Sequence, residues 1–273
     1  MKMQNSFLFV PGDRPERFGK AFQSGAHRVI LDLEDAVAPE HKAVARSAVR
    51  AFLASEKDCV VRINGVDSAW FASDLEMLRD MQPAAVMLPK AESCEMVAEL
   101  VAGVGESVPV IALIETAQGL ASCRTLLRSP QVMRLAFGSV DFMSDLDILD
   151  DDQGLLLARS ELVLASRLAG RAGPIDGVTL ALDDDAMLEA DVARARQLGF
   201  SGKLCIHPRQ IPIVNAGFLP DPAEVEWARR VLEASSAPGS AGAIRVDGKL
   251  VDRPVIERAA RLVAASRAPG GGG

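Results

Sequence analysis

Two acidic residues close apolar segments in the middle of the chain and are suited to binding a divalent metal ion. Glu115 follows the apolar residues 108–114, and Asp141 ends the segment 134–141 in the same way. Adjacent strands of a parallel sheet lie roughly 5 Å apart, so two such carboxylates can share one hard cation. Two protein oxygens, completed by water and substrate oxygens, are typical of Mg²⁺ sites. The alternative is that each carboxylate forms a salt bridge with a neighbouring Arg or Lys.

A second acidic group follows an alternating pattern. Asp32 and Glu34 share one face of a predicted strand, and Asp35 comes directly after them. The face that carries Asp32 and Glu34 is expected to point into the protein interior, where carboxylates hold water around a metal ion or orient cations. We therefore place Glu34 and Asp35 among the candidate catalytic residues. A buried ion pair with Arg62 or Lys90 is the alternative.

Arg62 lies in the next apolar segment and is the candidate for binding a substrate carboxylate. A guanidinium group binds a carboxylate through two parallel hydrogen bonds, which fix its orientation as well as its charge. A structural ion pair with Glu34 or Asp35 would explain the same residue, and the two roles are compatible.

Three cations near the N-terminus are suited to binding an anion. Arg14, Arg17 and Lys20 lie within one or two turns of a predicted first helix. A helix N-terminus with Arg and Lys side chains attracts phosphate or pyrophosphate. The segment is not a P-loop, because its glycine spacing is wrong and no Ser or Thr follows Lys20. Ordinary surface charge on a first helix would give the same pattern.

These residues need a scaffold, and the chain alternates eight times between short apolar runs and longer amphipathic segments. Predicted strands cover residues 6–12, 28–35, 59–64, 84–90, 108–116, 134–141, 175–180 and 202–208. Predicted helices cover residues 15–24, 41–54, 70–81, 93–102, 119–128, 155–169, 186–198 and 223–235. The pattern predicts an α/β protein, a (β/α)₈ TIM barrel. A doubly wound open sheet also permits this alternation, but the count of eight favours closure.

Charged residues close seven of these eight strands at their carboxyl ends, and the strand starts carry no comparable set. In chain order the strand ends carry Asp13 with Arg14, Glu34 with Asp35, Arg62, Lys90, Glu115, Asp141 and His207. A barrel gathers the carboxyl ends of its strands on one face, where active sites of this fold lie. The sequence therefore predicts one polar pocket.

Composition narrows the classes of function. The net charge of −7 argues against nucleic acid as a partner, and no run approaches the roughly 18 apolar residues of a membrane span. The four cysteines lie far apart, as is typical of reduced residues in a cytoplasmic protein. We expect a catalytic barrel over residues 1–236, a C-terminal hairpin-plus-helix extension over 237–267, and a flexible tail over 268–273.

An ordered set of motifs spans nearly the whole chain and resembles the citrate lyase β-subunit-like proteins of the HpcH/HpaI aldolase/citrate lyase family. These motifs are FVPG at residues 9–12, LDLEDAV at 31–37, VRIN at 61–64, LPKAE at 88–92, IETA at 114–117, FGSVD at 137–141 and CIHPRQI at 205–211. Relatives in this family include malyl-CoA, citramalyl-CoA and 3-hydroxy-3-methylglutaryl-CoA lyases, and more distantly pyruvate-dependent class II aldolases.

The resemblance implies a metal-dependent carbon–carbon lyase with a TIM-barrel fold. It implies Mg²⁺, with Mn²⁺ as a substitute, on Glu115 and Asp141. It implies that Arg62 grips a keto-acid carboxylate and that Arg14 and Lys20 lie near coenzyme A.

The resemblance also implies an oligomer, a homotrimer or hexamer. The C-terminal extension would place Asp252 over the pocket of a neighbouring subunit, where it acts as an acid–base group. One residue departs from the family pattern: Val140 stands where many members carry an acidic residue. This departure and the short C-terminus favour a stand-alone enzyme acting on a CoA thioester.

We therefore expect cleavage of a 3-hydroxyacyl-CoA thioester, of the citramalyl, malyl, 3-hydroxy-3-methylglutaryl or citryl type, into acetyl-CoA and a keto acid. An aldolase that acts on free acids is the first alternative. The second is a non-catalytic subunit that binds an acyl-CoA or keto acid within a larger complex.

Overall fold

The computed structural model describes residues 4–56, 58–236 and 243–267. It divides into two compact units, one spanning Gln4–Asn215 and one that begins at Ala216. The predicted flexible tail at residues 268–273 lies outside the described residues, as do residues 237–242 of the predicted extension.

Eight parallel strands form a closed barrel within the described part of the first unit. They are β1 (Ser6–Pro11), β2 (Arg28–Asp32), β3 (Val60–Arg62), β4 (Ala85–Leu88), β5 (Val110–Ile114), β6 (Val132–Phe137), β7 (Ile175–Asp176) and β8 (Gly202–Cys205). Each strand pairs with the next, and β8 pairs back with β1. The prediction of a (β/α)₈ barrel is confirmed, and the open-sheet alternative is wrong.

Helices follow the strands around the barrel. They are α1 (Phe18–Phe22), α2 (Lys42–Leu53), α3 (Phe71–Leu78), α4 (Cys94–Val104), α5 (Ala117–Leu126), α6 (Ser139–Asp145), α7 (Gln153–Leu168), α8 (Asp185–Leu198) and α9 (Gln210–Gly217). Short 3-10 turns at Pro15–Arg17 and Pro39–His41 precede α1 and α2. Proline suits these first positions because its missing N–H has no helical partner there. The sequence did not predict α6 or α9.

The barrel interior is apolar over most of its depth. Alternate residues of the strands fill it, namely Phe7, Ile30, Val60, Ala85, Met87, Ile111, Leu113, Ala136, Ile175 and Leu204. Because side chains alternate along a strand, the residue two positions beyond an inward-facing one also faces inward. This alternation brings Asp32, Arg62 and Glu115 into the interior at the carboxyl ends of their strands.

The second unit contains α10 (Pro222–Ser235), an antiparallel hairpin and α11 (Arg253–Arg267). The hairpin strands β9 (Ile244–Val246) and β10 (Lys249–Val251) are joined by Asp247 and Gly248, both with positive φ. Two such residues favour a tight two-residue hairpin turn. The predicted hairpin-plus-helix extension is confirmed. α10, which is predicted as part of the barrel domain, instead groups with these C-terminal elements.

Searching the helices of the described residues reveals none with the length and apolar character required to cross a bilayer.

Candidate active site

Glu115 stands at the carboxyl end of β5 and is held there by the start of α5. Ile111 and Leu113 face the interior, so the alternation directs Glu115 inward as well. Thr116 ends the strand by capping α5: its hydroxyl accepts a hydrogen bond from the Gly119 amide at 3.0 Å. Serine and threonine caps of this kind fix the point at which a helix begins. The cap therefore fixes the position of the carboxylate that precedes it.

The Glu115 carboxylate is deeply buried and only half satisfied. Glu115 is only 2% exposed. Its Oε1 accepts a hydrogen bond from the Lys90 amide at 2.8 Å, whereas Oε2 has no hydrogen-bond partner among the described residues. Burial, followed by the negative charges of Glu34 and Asp141, raises the pKa of Glu115 to about 8. A buried carboxylate in this environment needs a proton or a cation. Its free oxygen therefore fits a bound metal ion.

Lys90 contacts Glu115 through its backbone amide and not through its side chain. Its φ of 47° lies in the left-handed region, which a residue with a side chain adopts only when the surroundings hold it there. In this conformation the Lys90 amide N–H donates a hydrogen bond to Oε1 of Glu115. Within the described residues the Lys90 side chain is exposed and forms no ion pair, so of the two alternative partners for the acidic residues after β2, Arg62 and Lys90, the structure pairs Arg62. The charge of Lys90 still acts on Glu34 and opposes the rise in its pKa.

Asp141 is not at a strand end, which corrects the predicted strand 134–141. β6 ends at Phe137; the Gly138 amide donates to Ile114 O at 2.9 Å, and the Phe142 amide donates to Gly138 O at 3.0 Å. The chain therefore turns into α6 directly after the strand, and Asp141 lies exposed in the first helical turn. Its negative charge still reaches Glu115, since it raises the pKa of that carboxyl.

The protein supplies few ligands of its own. Within the parts of the chain that the structure describes, no group of three or more His, Cys, Asp or Glu side chains is arranged to hold a metal ion. Mg²⁺ is commonly held by one or two carboxylates, with water and substrate oxygens in the other positions. The pair of Glu115 and Asp141 fits this kind of site.

Arg62 is fixed by Asp32, its partner in the pairing of β2 with β3. Its Nε donates to Oδ1 of Asp32 at 2.7 Å, and its Nη2 donates to Oδ2 at 2.6 Å. The guanidinium also lies 4.7 Å from the ring centroid of Phe9. Arg62 is thus held rigidly by a two-pronged ion pair before any ligand arrives.

The third nitrogen of Arg62 is turned toward the other acidic residues. Nη1 lies 2.8 Å from Oε2 of Glu34 and 3.8 Å from Oδ2 of Asp35. Both structural partners named from the sequence are thus near Arg62, but the principal one is Asp32. The strand register would have identified Asp32, because it places these two residues opposite each other.

Glu34 is poised to exchange a proton near neutral pH. Burial raises the pKa of Glu34 to about 7, against the opposing charge of Arg62 and with the help of Asp35 and Asp32. Its Oε2 is buried and, despite its closeness to Nη1 of Arg62, accepts no well-aligned hydrogen bond from the described residues. Asp35 differs, since its side chain is 63% exposed.

A buried lysine braces the loop that carries Glu34. Lys42 Nζ donates to the carbonyl oxygens of Leu33 and Glu34, at 2.8 Å each, and lies 5.0 Å from the centroid of a Trp70 ring. The Glu34 amide in turn donates to Oδ1 of Asp32 at 2.9 Å. Sequence reasoning missed Lys42, whose position in an amphipathic helix gave no sign that its ammonium group turns inward.

The N-terminal cations lie on short helical turns. The predicted helix 15–24 is a 3-10 turn followed by the five-residue α1, so the expected full helix N-terminus is absent from this described segment. Arg14 and Lys20 are both exposed. They remain available to an anionic ligand as side chains alone.

Asp252 belongs to the second unit. It is exposed immediately before α11, and its Oδ1 accepts a hydrogen bond from the Val255 amide at 3.3 Å. Its acid–base role stays a prediction.

Gly138→Ala is expected to disrupt this site through a direct clash. An added Cβ would lie 2.6 Å from both Cβ and Oε2 of Glu115. Because Lys90 and the barrel wall confine the carboxylate, we expect Mg²⁺ affinity, measured by isothermal titration calorimetry, to fall by about 10-fold or more. Gly65→Ala is the matched control, since nothing lies within 4 Å of its added Cβ. Equal affinities in the two variants would contradict the assignment.

Comparison with known proteins adds to this geometry. The model of the HpcH/HpaI aldolase/citrate lyase family matches residues 5–208. A citrate lyase subunit beta-like protein of Mycobacterium tuberculosis is 38% identical over 257 residues, which cover 92% of this chain and 91% of that protein. A (3S)-malyl-CoA thioesterase of Cereibacter sphaeroides is 34% identical over 90% of this chain and 89% of its own. The crystal structure of CitE from Mycobacterium tuberculosis, in complex with magnesium, acetoacetate and coenzyme A, matches with a TM-score of 0.85 at 37% identity, covering 97% of this chain and 98% of that one.

Proposed function

Because the chain belongs to the HpcH/HpaI aldolase/citrate lyase family, we propose that it cleaves a carbon–carbon bond of a 3-hydroxyacyl-CoA thioester in a Mg²⁺-dependent reaction. The observation that carries the proposal is the buried Oε2 of Glu115, which has no hydrogen-bond partner in the described part of the chain and lies in the field of two other carboxylates. The products would be acetyl-CoA and a short keto acid. A related CitE binds magnesium, a keto acid and coenzyme A together, which supports this class of ligands.

Glu115 and Asp141 would hold the metal ion. When bound, Mg²⁺ supplies Lewis-acid polarisation to the substrate hydroxyl and its adjacent carboxylate. Glu115 would contribute a buried oxygen, and Asp141 would contribute an exposed one from the first turn of α6. The side chain of Val140, beside Asp141, provides no further oxygen.

Arg62 would bind the carboxylate that becomes part of the keto acid. Asp32 already occupies Nε and one proton of Nη2, and Glu34 lies beside Nη1, so the ligand would be received by the remaining protons of Nη1 and Nη2. Since Asp32 fixes the guanidinium plane, the carboxylate would be oriented on arrival with little side-chain entropy lost.

Two carboxyl groups would move the protons. Oε2 of Glu34 takes the proton of the substrate hydroxyl. The hydroxyl oxygen of the substrate then becomes the carbonyl oxygen of the keto acid as the neighbouring C–C bond breaks. The electron pair of that bond passes to the thioester as an enolate, whose carbon receives a proton from Asp252 of a neighbouring subunit. No water is consumed. The pKa of Glu34, raised by burial to about 7, suits such an exchange at neutral pH.

Arg14 and Lys20 would contact the phosphates of coenzyme A. Both side chains are exposed cations on the first two helical turns after β1, and strand β1 ends on the same face as β5. Such contacts are electrostatic and are expected to weaken as the salt concentration rises.

A panel of thioesters tests the proposal directly. Purified protein would be mixed with citramalyl-, malyl-, 3-hydroxy-3-methylglutaryl- and citryl-CoA, with Mg²⁺ or with EDTA, and keto-acid release followed. EDTA-sensitive cleavage of one thioester would establish the lyase and name its substrate. Cleavage of free hydroxy-keto acids and of none of the thioesters would show that the protein is an aldolase and not a CoA-thioester lyase. If the protein binds Mg²⁺ but turns over none of these substrates, the proposal of a lyase fails and the alternative of a non-catalytic binding subunit is favoured.

Mg²⁺ affinity is expected to rise with pH up to about 8 and then level off. The pKa of Glu115, raised to about 8 by burial and by neighbouring carboxylates, means that the metal must displace a proton below that pH. We expect a roughly tenfold weaker affinity for each pH unit below 8, measured by titration calorimetry. An affinity that is flat between pH 6 and 8 would contradict the role of Glu115.

Asp252→Asn is expected to lower turnover by about 100-fold or more while leaving Mg²⁺ affinity unchanged, because it removes a proton donor and no ligand. Glu257→Gln, on the exposed surface of α11, is the control. Mixing Asp252→Asn subunits with Glu115→Gln subunits tests the exchange between subunits. Partial recovery of activity in the mixture supports it, and no recovery under conditions where subunits exchange opposes it.

A further inference from the structure

The amino end of the barrel contains a small cavity, at the opposite end from Glu115 and Arg62. Its volume is ≈ 50 Å³, and its walls include Gln4, Arg28, Ile111, Met133 and Arg134. Arg28 is the first residue of β2, and Arg134 lies near the start of β6. Two cationic side chains therefore line a cavity for which the proposed reaction has no use.

Arg134 is the principal polar group of this cavity. It is 4% exposed, and its donors reach only neutral acceptors: Nε to Gly173 O at 2.8 Å, Nη1 to Gln4 O at 2.9 Å and Nη2 to Ser201 Oγ at 2.8 Å. Its guanidinium lies 5.2 Å from the centroid of the Phe7 ring. A guanidinium carries five N–H donors, so one on each Nη is left over.

No carboxylate of the described residues forms an ion pair with Arg134. The other deeply buried arginines differ in this respect, because Arg62 is paired with Asp32 and Arg159 with Asp176. A buried cation without a counter-charge is unfavourable. Burial accordingly lowers the pKa of Arg134 to about 9.

Arg28 adds a second cation to the cavity. Its Nη1 lies 2.8 Å from Oδ1 of Asp58. The two arginines and this one carboxylate leave a net positive charge beside the cavity. That charge matches a singly charged anion.

We infer that this cavity is a binding site for a small planar oxyanion of the carboxylate or bicarbonate class, held by the free Nη donors of Arg134 with Arg28 nearby. Its volume accommodates roughly three water-sized atoms, which is the size of such a group. The planar fork of guanidinium favours a planar oxyanion over a spherical halide. The bound anion stabilises the folded state by mass action.

Thermal unfolding tests the site, with sodium formate and sodium bicarbonate as probes in separate arms and sodium chloride at equal ionic strength as the reference. All samples contain EDTA and no substrate. We expect a saturable rise in Tm of about 5 °C at a large excess of the better probe over its Kd. The arm with the larger rise identifies which of the two oxyanions the site prefers. Equal Tm values in both probes and in chloride would overturn the inference.

Variants locate the effect. Arg134→Gln is expected to abolish the rise, and Arg28→Gln to weaken probe affinity by about 5-fold. Ala85→Val, which narrows the cavity and keeps every charge, should also remove the rise, and it decides the matter if Arg134→Gln does not fold. Arg50→Gln, on the exposed surface of α2, should retain the full response.

Arg62 is the other arginine that could bind these probes. Arg62→Leu should keep the rise in Tm if the anion lies at the amino end. Loss of the rise in Arg62→Leu, together with its survival in Arg134→Gln, would move the anion to the candidate active site and overturn the inference.

Discussion

Glu115→Gln is expected to lower Mg²⁺-dependent kcat/KM by about 10³-fold or more, since loss of metal polarisation removes several kcal/mol of transition-state stabilisation. The substitution keeps the size of the side chain and the contact of one oxygen with the Lys90 amide. It removes the charge that would attract the metal. Steady-state kinetics over a range of Mg²⁺ concentrations measure the loss, and Glu99→Gln, on the exposed surface of α4, is the control.

The same variant should be at least as stable as the parent protein in EDTA at pH 9. Because burial raises the pKa of Glu115 above its ordinary value of 4.5, the folded state binds this proton more tightly than the unfolded chain. The resulting stability is present below pH 4.5 and is lost as the pH rises through about 8. At pH 9 the parent carries a buried charge that glutamine lacks. Lower stability of Glu115→Gln under these conditions would show that the residue holds the fold rather than a metal.

Asp32→Ala is expected to destabilise the protein by about 3–5 kcal/mol, because it leaves the buried guanidinium of Arg62 without its two-pronged partner. It also removes the acceptor of the Glu34 amide, which helps to hold the loop after β2. Urea unfolding measures the loss. Asp35→Ala is the matched control: its side chain is largely exposed, and we expect a change within about 0.5 kcal/mol.

A double variant separates the ion pair from the carboxylate itself. Adding Arg62→Met to Asp32→Ala removes the uncompensated cation, so the double variant should be more stable than Asp32→Ala alone. If the loss of stability in the double variant equals the sum of the losses in the two single variants, the ion pair itself contributes little to the stability of the fold.

The sequence predicted the barrel well because its signal is local. Most strands are short apolar runs followed closely by a charged residue, and Glu115 and Arg62 are visible in this pattern without any knowledge of the packing. The partner of Arg62 was harder to find, because it depends on the register of β2 against β3. The alternation of side chains along β2 predicts that Asp32 points into the barrel, but by sequence alone Glu34 and Asp35 were equally good candidates for the ion-pair partner of Arg62.

Asp141 and Arg134 mark the limits of this reasoning. The run 134–141 is apolar enough for a strand, yet Gly138 ends the strand and α6 begins at once. Arg134 occupies an ordinary position near the start of that strand. Nothing in its neighbours along the chain indicates a buried cation, since the groups that surround it come from residues 4, 173 and 201.

The left-handed Lys90 makes part of the site invisible to an alanine scan. Its amide N–H, and the carbonyls of Leu33 and Glu34 that Lys42 holds, belong to the backbone and survive nearly every side-chain change. Truncating Lys90 would therefore leave the hydrogen bond to Glu115 in place, and only proline at that position would delete it. A tolerant position 90 in a mutational survey would thus conceal one of the contacts that holds the buried carboxylate.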